Sequence, residues 1–381
     1  MAPSVARNGP RHGAKTATHE GSATSSPAAA AGMPQQRPLA LLPDGHRPVL
    51  IVLIDAEEEF DWDGGFRREH TGVSAMAHVH RAQEIFDAYG IVPTYVVDFP
   101  VASQRQGSEP LAEIAASGRA VIGAHLHPWV TPPFDEEVCP RNSFPGNLPR
   151  ELEAAKLAST ISAIERAFGA PPRVYQAGRY GLGPHTHALL ESLGFEVDFS
   201  ICPPFDYTAE GGPDYSRWTT DPYWFGAERR LLGIPLTGGY TGLLSRAPRG
   251  GGSSGAGGLP HGLHTWANRR GNAWARLPGL LSRTGLLDRL RLTPEGFDAG
   301  DHRRLVQELL ARGRRTFVFS FHTPSLKPGC TPYVRSEAEL AEFLDRFRRC
   351  FDFFLGELDG LALTPLQLRE RLLAPGTGAA A

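Results

Sequence analysis

Between positions 55 and 63 the chain sets six carboxylates, Asp55, Glu57, Glu58, Glu59, Asp61 and Asp63, directly behind an apolar run over 48–54. Acidic runs are usually solvated loops. An acidic run fed by a buried strand is different, because the carboxylates then gather where a cation can sit. Four further groups have chemical potential. "AVIGAHLHPW" carries His125 and His127, "QAGRYGLGP" carries Arg179 and Tyr180, Asp198 and Asp206 follow, and "TFVFSFHTPS" ends on His322. Histidines at i and i+2 of a strand share a face, since strand side chains alternate with period two. Two such imidazoles can bind one Zn²⁺ or a similar ion. An acid, a histidine pair, an Arg–Tyr turn and a last histidine together form the inventory of a metal-dependent hydrolase.

These residues need elements to position them. Apolar runs over 48–54, 92–98, 120–125, 174–177, 196–200, 231–236 and 316–321 are the expected strands. Helices fit between several of them. One follows Ser74, with Met76, Val79, Gln83 and Phe86 at helical spacing and Gly90 past its end. A second spans 150–168, with Leu152, Ile161, Ile164 and Phe168 on one stripe. A third spans 337–355, with Leu340, Phe343, Leu344, Phe347 and Phe351. Strands alternating with helices predict an α/β fold with a parallel sheet, open or closed into a barrel. In such folds the chemistry gathers at the carboxyl ends of the strands, and each of the groups above follows a strand.

The chain has 381 residues, of which 39 are basic and 41 acidic, so no nucleic-acid partner is expected. The four cysteines Cys139, Cys202, Cys330 and Cys350 are widely spaced and read as reduced thiols. No apolar stretch approaches the ~18 residues of a membrane span, so no membrane insertion is expected. The N-terminus lacks the compact apolar segment of a signal peptide, which predicts a cytoplasmic protein. Residues 1–46 and 374–381 have the Ala/Gly/Ser/Pro bias of disordered tails, and 247–262 has that of a flexible insertion within a single domain over 47–373.

Taken jointly, "IDAEEEFDW", "GAHLHPWVTPPFDE", "AGRYGLGP", "EGGPDYSRW" and "FSFHTPSLKPGCTPYVR" resemble the polysaccharide deacetylase (NodB-homology) superfamily, and within it the WalW-like branch associated with cell-surface glycan loci. The resemblance implies a distorted (β/α)7 barrel that binds a divalent metal (Zn, or Ni, Co or Mn) and removes N-acetyl groups from a carbohydrate substrate. It makes Asp55 the general base, His322 the general acid, and His125 and His127 metal ligands. Arg179 and Tyr180 would line the groove, the Tyr180 backbone N–H facing the oxyanion, and Asp198 and Asp206 would lie near the fourth motif. Trp62 and Trp129 would stack on the sugar. The chain departs from the pattern in places. Ala56 stands where the family has its metal-binding aspartate, making Glu57 the expected third ligand with Glu58 behind it. Thr131 stands four residues after His127, where a second histidine is usual. Gln176 or Ala177 stands near the family's third-motif arginine. Two alternatives stay open: a catalytically impaired glycan-binding protein, and a metal-dependent hydrolase of another C–N bond.

Overall fold

A computed structural model describes residues 37–43, 45–62, 64–227, 231–246, 259–267 and 286–374. Eleven strands lie among them, in chain order β1 (Val49–Ala56), β2 (Thr94–Val97), β3 (Val121–Leu126), β4 (Val174–Ala177), β5 (Val197–Asp198), β6 (Tyr223–Phe225), β7 (Leu231–Gly233), β8 (Gly238–Thr241), β9 (Asp288–Arg291), β10 (Thr316–His322) and β11 (Leu361–Ala362). The main sheet runs β10-β1-β2-β3-β4-β5-β7-β6, with β11 beside the start of β1. Its seven expected strands are all present and mutually parallel, and β6 adds an antiparallel edge. The α/β expectation holds. The strands β6, β8, β9 and β11 were not legible as such.

The sheet curls, and the antiparallel β8–β9 pair bridges its two ends. Leu236 N–H donates to the Ile201 carbonyl and Leu292 N–H to the Thr237 carbonyl, while the Thr237 hydroxyl accepts from Val318 N–H and the Leu292 carbonyl from Ser320 N–H. Barrel closure therefore rests on isolated bonds rather than on one continuous ladder.

All eight residues of β1 are buried, as suits a parallel strand covered on both faces. Along β10, Phe317, Phe319 and Phe321 face the helices, where Phe319 and Phe321 meet Phe347 at centroid distances of 5.2 and 4.8 Å. Alternation then turns Ser320 and His322 inward. The helix Glu337–Phe351 buries Leu340, Phe343, Phe347 and Phe351 of its predicted stripe and continues as a π-turn through Glu357. The segment after Ser74 begins as a 3-10 turn and becomes α-helical at His80, burying Met76, Gln83 and Phe86. Ser74 does not cap it. Its hydroxyl donates to Glu59 instead.

The helix Arg150–Phe168 has the expected limits but a different buried face. Glu153, Lys156 and Thr160 are buried with Leu157 and Ile164, whereas Leu152, Ile161 and Phe168 are half-buried. Polar residues are tolerated there because most of them have partners. Part of the expected N-terminal tail is also structured: Leu39 bridges to Tyr223, and Ala40 and Leu42 are buried. This short stretch gains backbone bonds to Pro222 and Trp224 that composition does not reveal. Residues 1–36, 247–258 and 375–381 of the expected tails and insertion lie outside the described residues. All four cysteines are free thiols.

Glu153 accepts a hydrogen bond of 2.5 Å from the Thr186 hydroxyl, which itself accepts from Gly183 N–H, tying this helix to the loop after β4. Burial pushes its carboxyl up to about 7 from an ordinary 4.5. The folded state thus keeps a proton that the unfolded chain loses, and this group's contribution to stability falls as pH rises from about 4.5 to about 7. Glu153→Gln should leave stability near pH 4 little changed and raise it near pH 8 by on the order of 2–3 kcal/mol. Urea unfolding at the two pH values checks this; equal effects at both would contradict it.

Candidate metal and catalytic site

Parallel register brings the predicted site together. On the β1–β10 ladder Asp55 stands directly opposite His322, and on the β3–β4 ladder His125 stands opposite Gln176. All four lie at the carboxyl ends of their strands. Asp55 Oδ2 accepts from Gln176 Nε2 at 2.9 Å and lies 3.5 Å from His322 Nε2. Asp55 Oδ1 is buried and has no hydrogen-bond partner.

His125 and His127 point at one carboxylate. Each Nε2 lies 3.6 Å from Glu57 Oε2. That is too long for a strong charge-assisted hydrogen bond. It fits two ligands of one ion, since bonds of about 2.1 Å meeting near the tetrahedral angle place donors about 3.4 Å apart. Both rings are oriented from behind. His125 Nδ1–H donates to the Gln176 carbonyl at 3.0 Å, and His127 Nδ1 pairs with Glu58 Oε2 at 2.7 Å. Both Nε2 atoms therefore face Glu57, and a hydrogen bond at the far ring nitrogen is what fixes the orientation of a metal-binding histidine. Ala56, where the resemblance placed an aspartate, is wholly buried apolar packing; Glu57 is the carboxylate that faces the two histidines.

The electrostatics separate the two rings: burial would lower His125, but the bond to Glu57 and the charge of Asp55 raise it above its ordinary value. Burial and the neighbouring His125 push His127 down to about 4, keeping it a neutral imidazole. Burial raises Glu58 to about 7 despite its bonds to Asp98 and Trp129. Asp98 is held well above the carboxylate range by burial and by Glu58's charge. Burial would raise Glu57 too, but the charge of His322 and the bond to His125 prevail and hold it at about 2. A buried anion that stays ionised between two imidazoles is a place where a cation could sit. Glu57, His125 and His127 are the residues that could hold one, and Asp55, Glu57 and His322 form an overlapping group.

Three supporting residues escaped the sequence reading. Glu295 Oε2 pairs with His322 Nδ1 at 2.7 Å, while its Oε1 accepts from His322 N–H and from the Ser325 hydroxyl. Gln176, noted only as a departure, holds Asp55. Lys156, on the helix Arg150–Phe168, donates to the carbonyls of Pro128, Thr131 and Pro133 at 2.9, 2.6 and 2.7 Å and pairs with Glu136 at 2.9 Å. It thereby fixes the loop that leaves His127. Glu295 sits after β9, whose "DRLRL" pattern resembles a surface segment.

Other predicted residues fall elsewhere. Arg179 and Tyr180 both occupy left-handed backbone, with φ of 53° and 60°, which costs non-glycine residues about 1 kcal/mol or more each. Arg179 is pinned by Glu210 and Ser143 and lies over Phe144 and Phe66. The Tyr180 hydroxyl accepts from Arg291 at 2.7 Å. Neither side chain hydrogen-bonds to Asp55 or His322, although Tyr180 lies near enough to feel the charge of Asp55, and both stand in the wall of the site. Gly178 is required in this turn, because a Cβ there would stand 2.3 Å from the Leu126 carbonyl and 2.4 Å from the His127 ring.

Asp198 is not in the groove. It lies level with Tyr175 on the helix-facing side of the sheet, bonds the Ser200 hydroxyl and stands 3.4 Å from His187. Asp206 is exposed and caps Thr208. Trp129 stacks on His127 at 4.3 Å and donates its indole N–H to Glu58. Trp62 packs edge-on to Phe60 and Tyr333, and Phe60 and Phe66 reach Trp129. Both tryptophans thus border the site. Of the other aromatic residues, Trp218 and Tyr223 pack under Arg37 instead.

No protein-family model matches the chain, and no curated protein matches its sequence. Among solved structures, a Mycobacterium smegmatis protein designated a polysaccharide deacetylase is 18% identical, with a TM-score of 0.49 over 88% of this chain and 93% of that one. The PuuE allantoinase is 13% identical with a TM-score of 0.49, covering 93% and 100% of the two chains. A peptidoglycan N-acetylglucosamine deacetylase is 9% identical with a TM-score of 0.40, covering 86% and 90%. None of these scores reaches 0.5, and no residue role follows from them.

Removing the Glu58 carboxylate should loosen His127 without touching the ion. Glu58→Gln is expected to weaken binding of Zn²⁺ about 10–100-fold. Competition against a chromophoric chelator measures this, and unchanged affinity would remove Glu58 from the supporting shell.

Proposed function

We propose that the protein is a metal-dependent hydrolase that removes N-acetyl groups from a sugar or glycan intermediate in cell-surface polysaccharide metabolism. The observation that carries this reading is the pair of imidazole Nε2 atoms sharing one Glu57 oxygen at 3.6 Å, beside an Asp55–His322 pair 3.5 Å apart. A divalent cation, with zinc first among the candidates, would be held by Glu57, His125 and His127. Bound there, such an ion supplies Lewis-acid polarisation of an acyl oxygen and lowers the pKa of water.

The chain's own residues do the proton work. Asp55, oriented by Gln176 through Oδ2, keeps Oδ1 free to take a proton from an attacking water. His322, although half-buried, is held well above its usual pKa by the charges of Glu295, Glu57 and Asp55, and so carries the proton that a leaving amine needs. Glu295 fixes the ring so that Nε2 faces Asp55 rather than solvent. Trp62, Phe60 and Phe66, packed around the buried Trp129, offer apolar faces on which the C–H surface of a pyranose can pack. The five sequence motifs support placement in the WalW-like branch. A cytoplasmic setting suits a biosynthetic intermediate better than a finished wall polymer.

A second reading has a specific basis: Asp55, Glu57, His125, His127 and His322 address an amide, not a sugar ring, and would serve another C–N bond equally well. Acetate release from N-acetylated sugars, set against ammonia or amine release from simple amides, separates the two. Elemental analysis of purified protein should find about one divalent ion per chain, lost chiefly in His127→Ala. A metal-free protein after reconstitution would favour the glycan-binding alternative. His322→Ala should lower turnover about 10²–10⁴-fold. Near-parent turnover would remove His322 from the acid role.

A further inference from the structure

Two arginines stand beside this site without a counter-charge. Arg289 and Arg291 share one face of β9, while Leu290 and Leu292 turn to the core. Both guanidinium groups are half-buried and lie over the same Phe205 ring, at 4.1 and 5.6 Å from its centroid. Their remaining neighbours are hydroxyls and a thiol: Arg291 donates to Tyr180 Oη, Arg289 reaches Tyr240, and Tyr207 and Cys202 lie close to both. Among the described residues neither meets a carboxylate. By contrast Arg179, Arg303, Arg304, Arg312 and Arg314 each do.

Two like charges at adjacent same-face positions repel, and charges removed from water are normally paired. The same strand leads on to Glu295, four residues past Arg291, so at most about 13 Å of extended chain separates Arg291 from the group that orients His322. The Tyr180 ring, under the Arg291 guanidinium, belongs to the site wall.

We propose that Arg289 and Arg291 form an anion subsite, and that the substrate of this enzyme is an N-acetylated sugar bearing a carboxylate or phosphate group. The proposal deepens the hydrolase reading and rests on it for the words "substrate" and "enzyme". The subsite itself rests on β9 alone. Paired guanidinium groups suit both oxyanions, because each offers a planar fork of N–H donors.

The test is calorimetric binding to the full-length protein with three probes: N-acetylglucosamine, its phosphate ester and an N-acetylhexosaminuronate. One or both anionic probes should bind about tenfold or more tightly than the neutral sugar, and added salt should erode the difference. Whichever anion gains identifies the source. The preference should vanish in Arg289→Gln with Arg291→Gln and survive in Arg289→Lys. Equal binding of all three probes by the parent protein, or an anion preference that persists in the double variant, overturns the subsite. If the double variant does not fold, the parent's selectivity and its salt dependence decide the matter alone. Acetate release is followed in parallel. Anion-selective binding without release of acetate refutes the deacetylase reading and leaves the subsite standing, whereas release from the neutral sugar with no anion preference does the reverse.

Discussion

The structure is governed by one imbalance of charge. Asp55, Glu57, Glu58, Asp98 and Glu295 are all buried around three imidazoles, and among the described residues no lysine or arginine side chain pairs with any of them. Burying carboxylates in such number is costly unless protons or ions compensate. The protein divides the task. Glu58 and Asp98, farthest back, are pushed toward the neutral acid; Glu57, in front, stays ionised. Each imidazole is anchored at Nδ1 and directs Nε2 to the same small volume. The arrangement is internally consistent with an ion in that volume.

Geometry of this kind depends on strands rather than loops. Parallel register sets Asp55 beside His322 and His125 beside Gln176, and backbone ladders hold such spacing more tightly than a loop could. The loop after His127 has no ladder, so a buried lysine takes that part. The turn after β4 has two strained residues, held by Glu210, Ser143 and Arg291 from separate parts of the chain. Strain of this sort persists only where the surroundings over-determine it.

Much of this was legible. All seven parallel strands were visible because a strand buried on both faces is written as an unbroken apolar run, and the site residues stood where those runs end. Gln176 and Asp198 show where legibility stops. They stand on neighbouring strands, one near-level position apart, yet pleating turns Gln176 toward Asp55 and Asp198 toward His187. A two-residue strand such as β5 carries too little pattern to fix that parity. β9 was lost for the opposite reason: it alternates charge with leucine, like an exposed segment, because its polar face looks onto the groove. Glu295 disappeared with it. The polar stripe of Arg150–Phe168 could not be foreseen either, since the groups that satisfy Lys156 lie 20 to 28 positions away.

Lys156 has a further consequence. Its ammonium gathers three main-chain carbonyls and one carboxylate, much as a bound metal ion would, but it is covalently part of the chain and cannot be chelated away. The loop beyond His127 is therefore shaped by a permanent cation before any exchangeable one arrives. The shape of that loop is thus set by a charge that belongs to the chain itself, whether or not Glu57, His125 and His127 hold an ion.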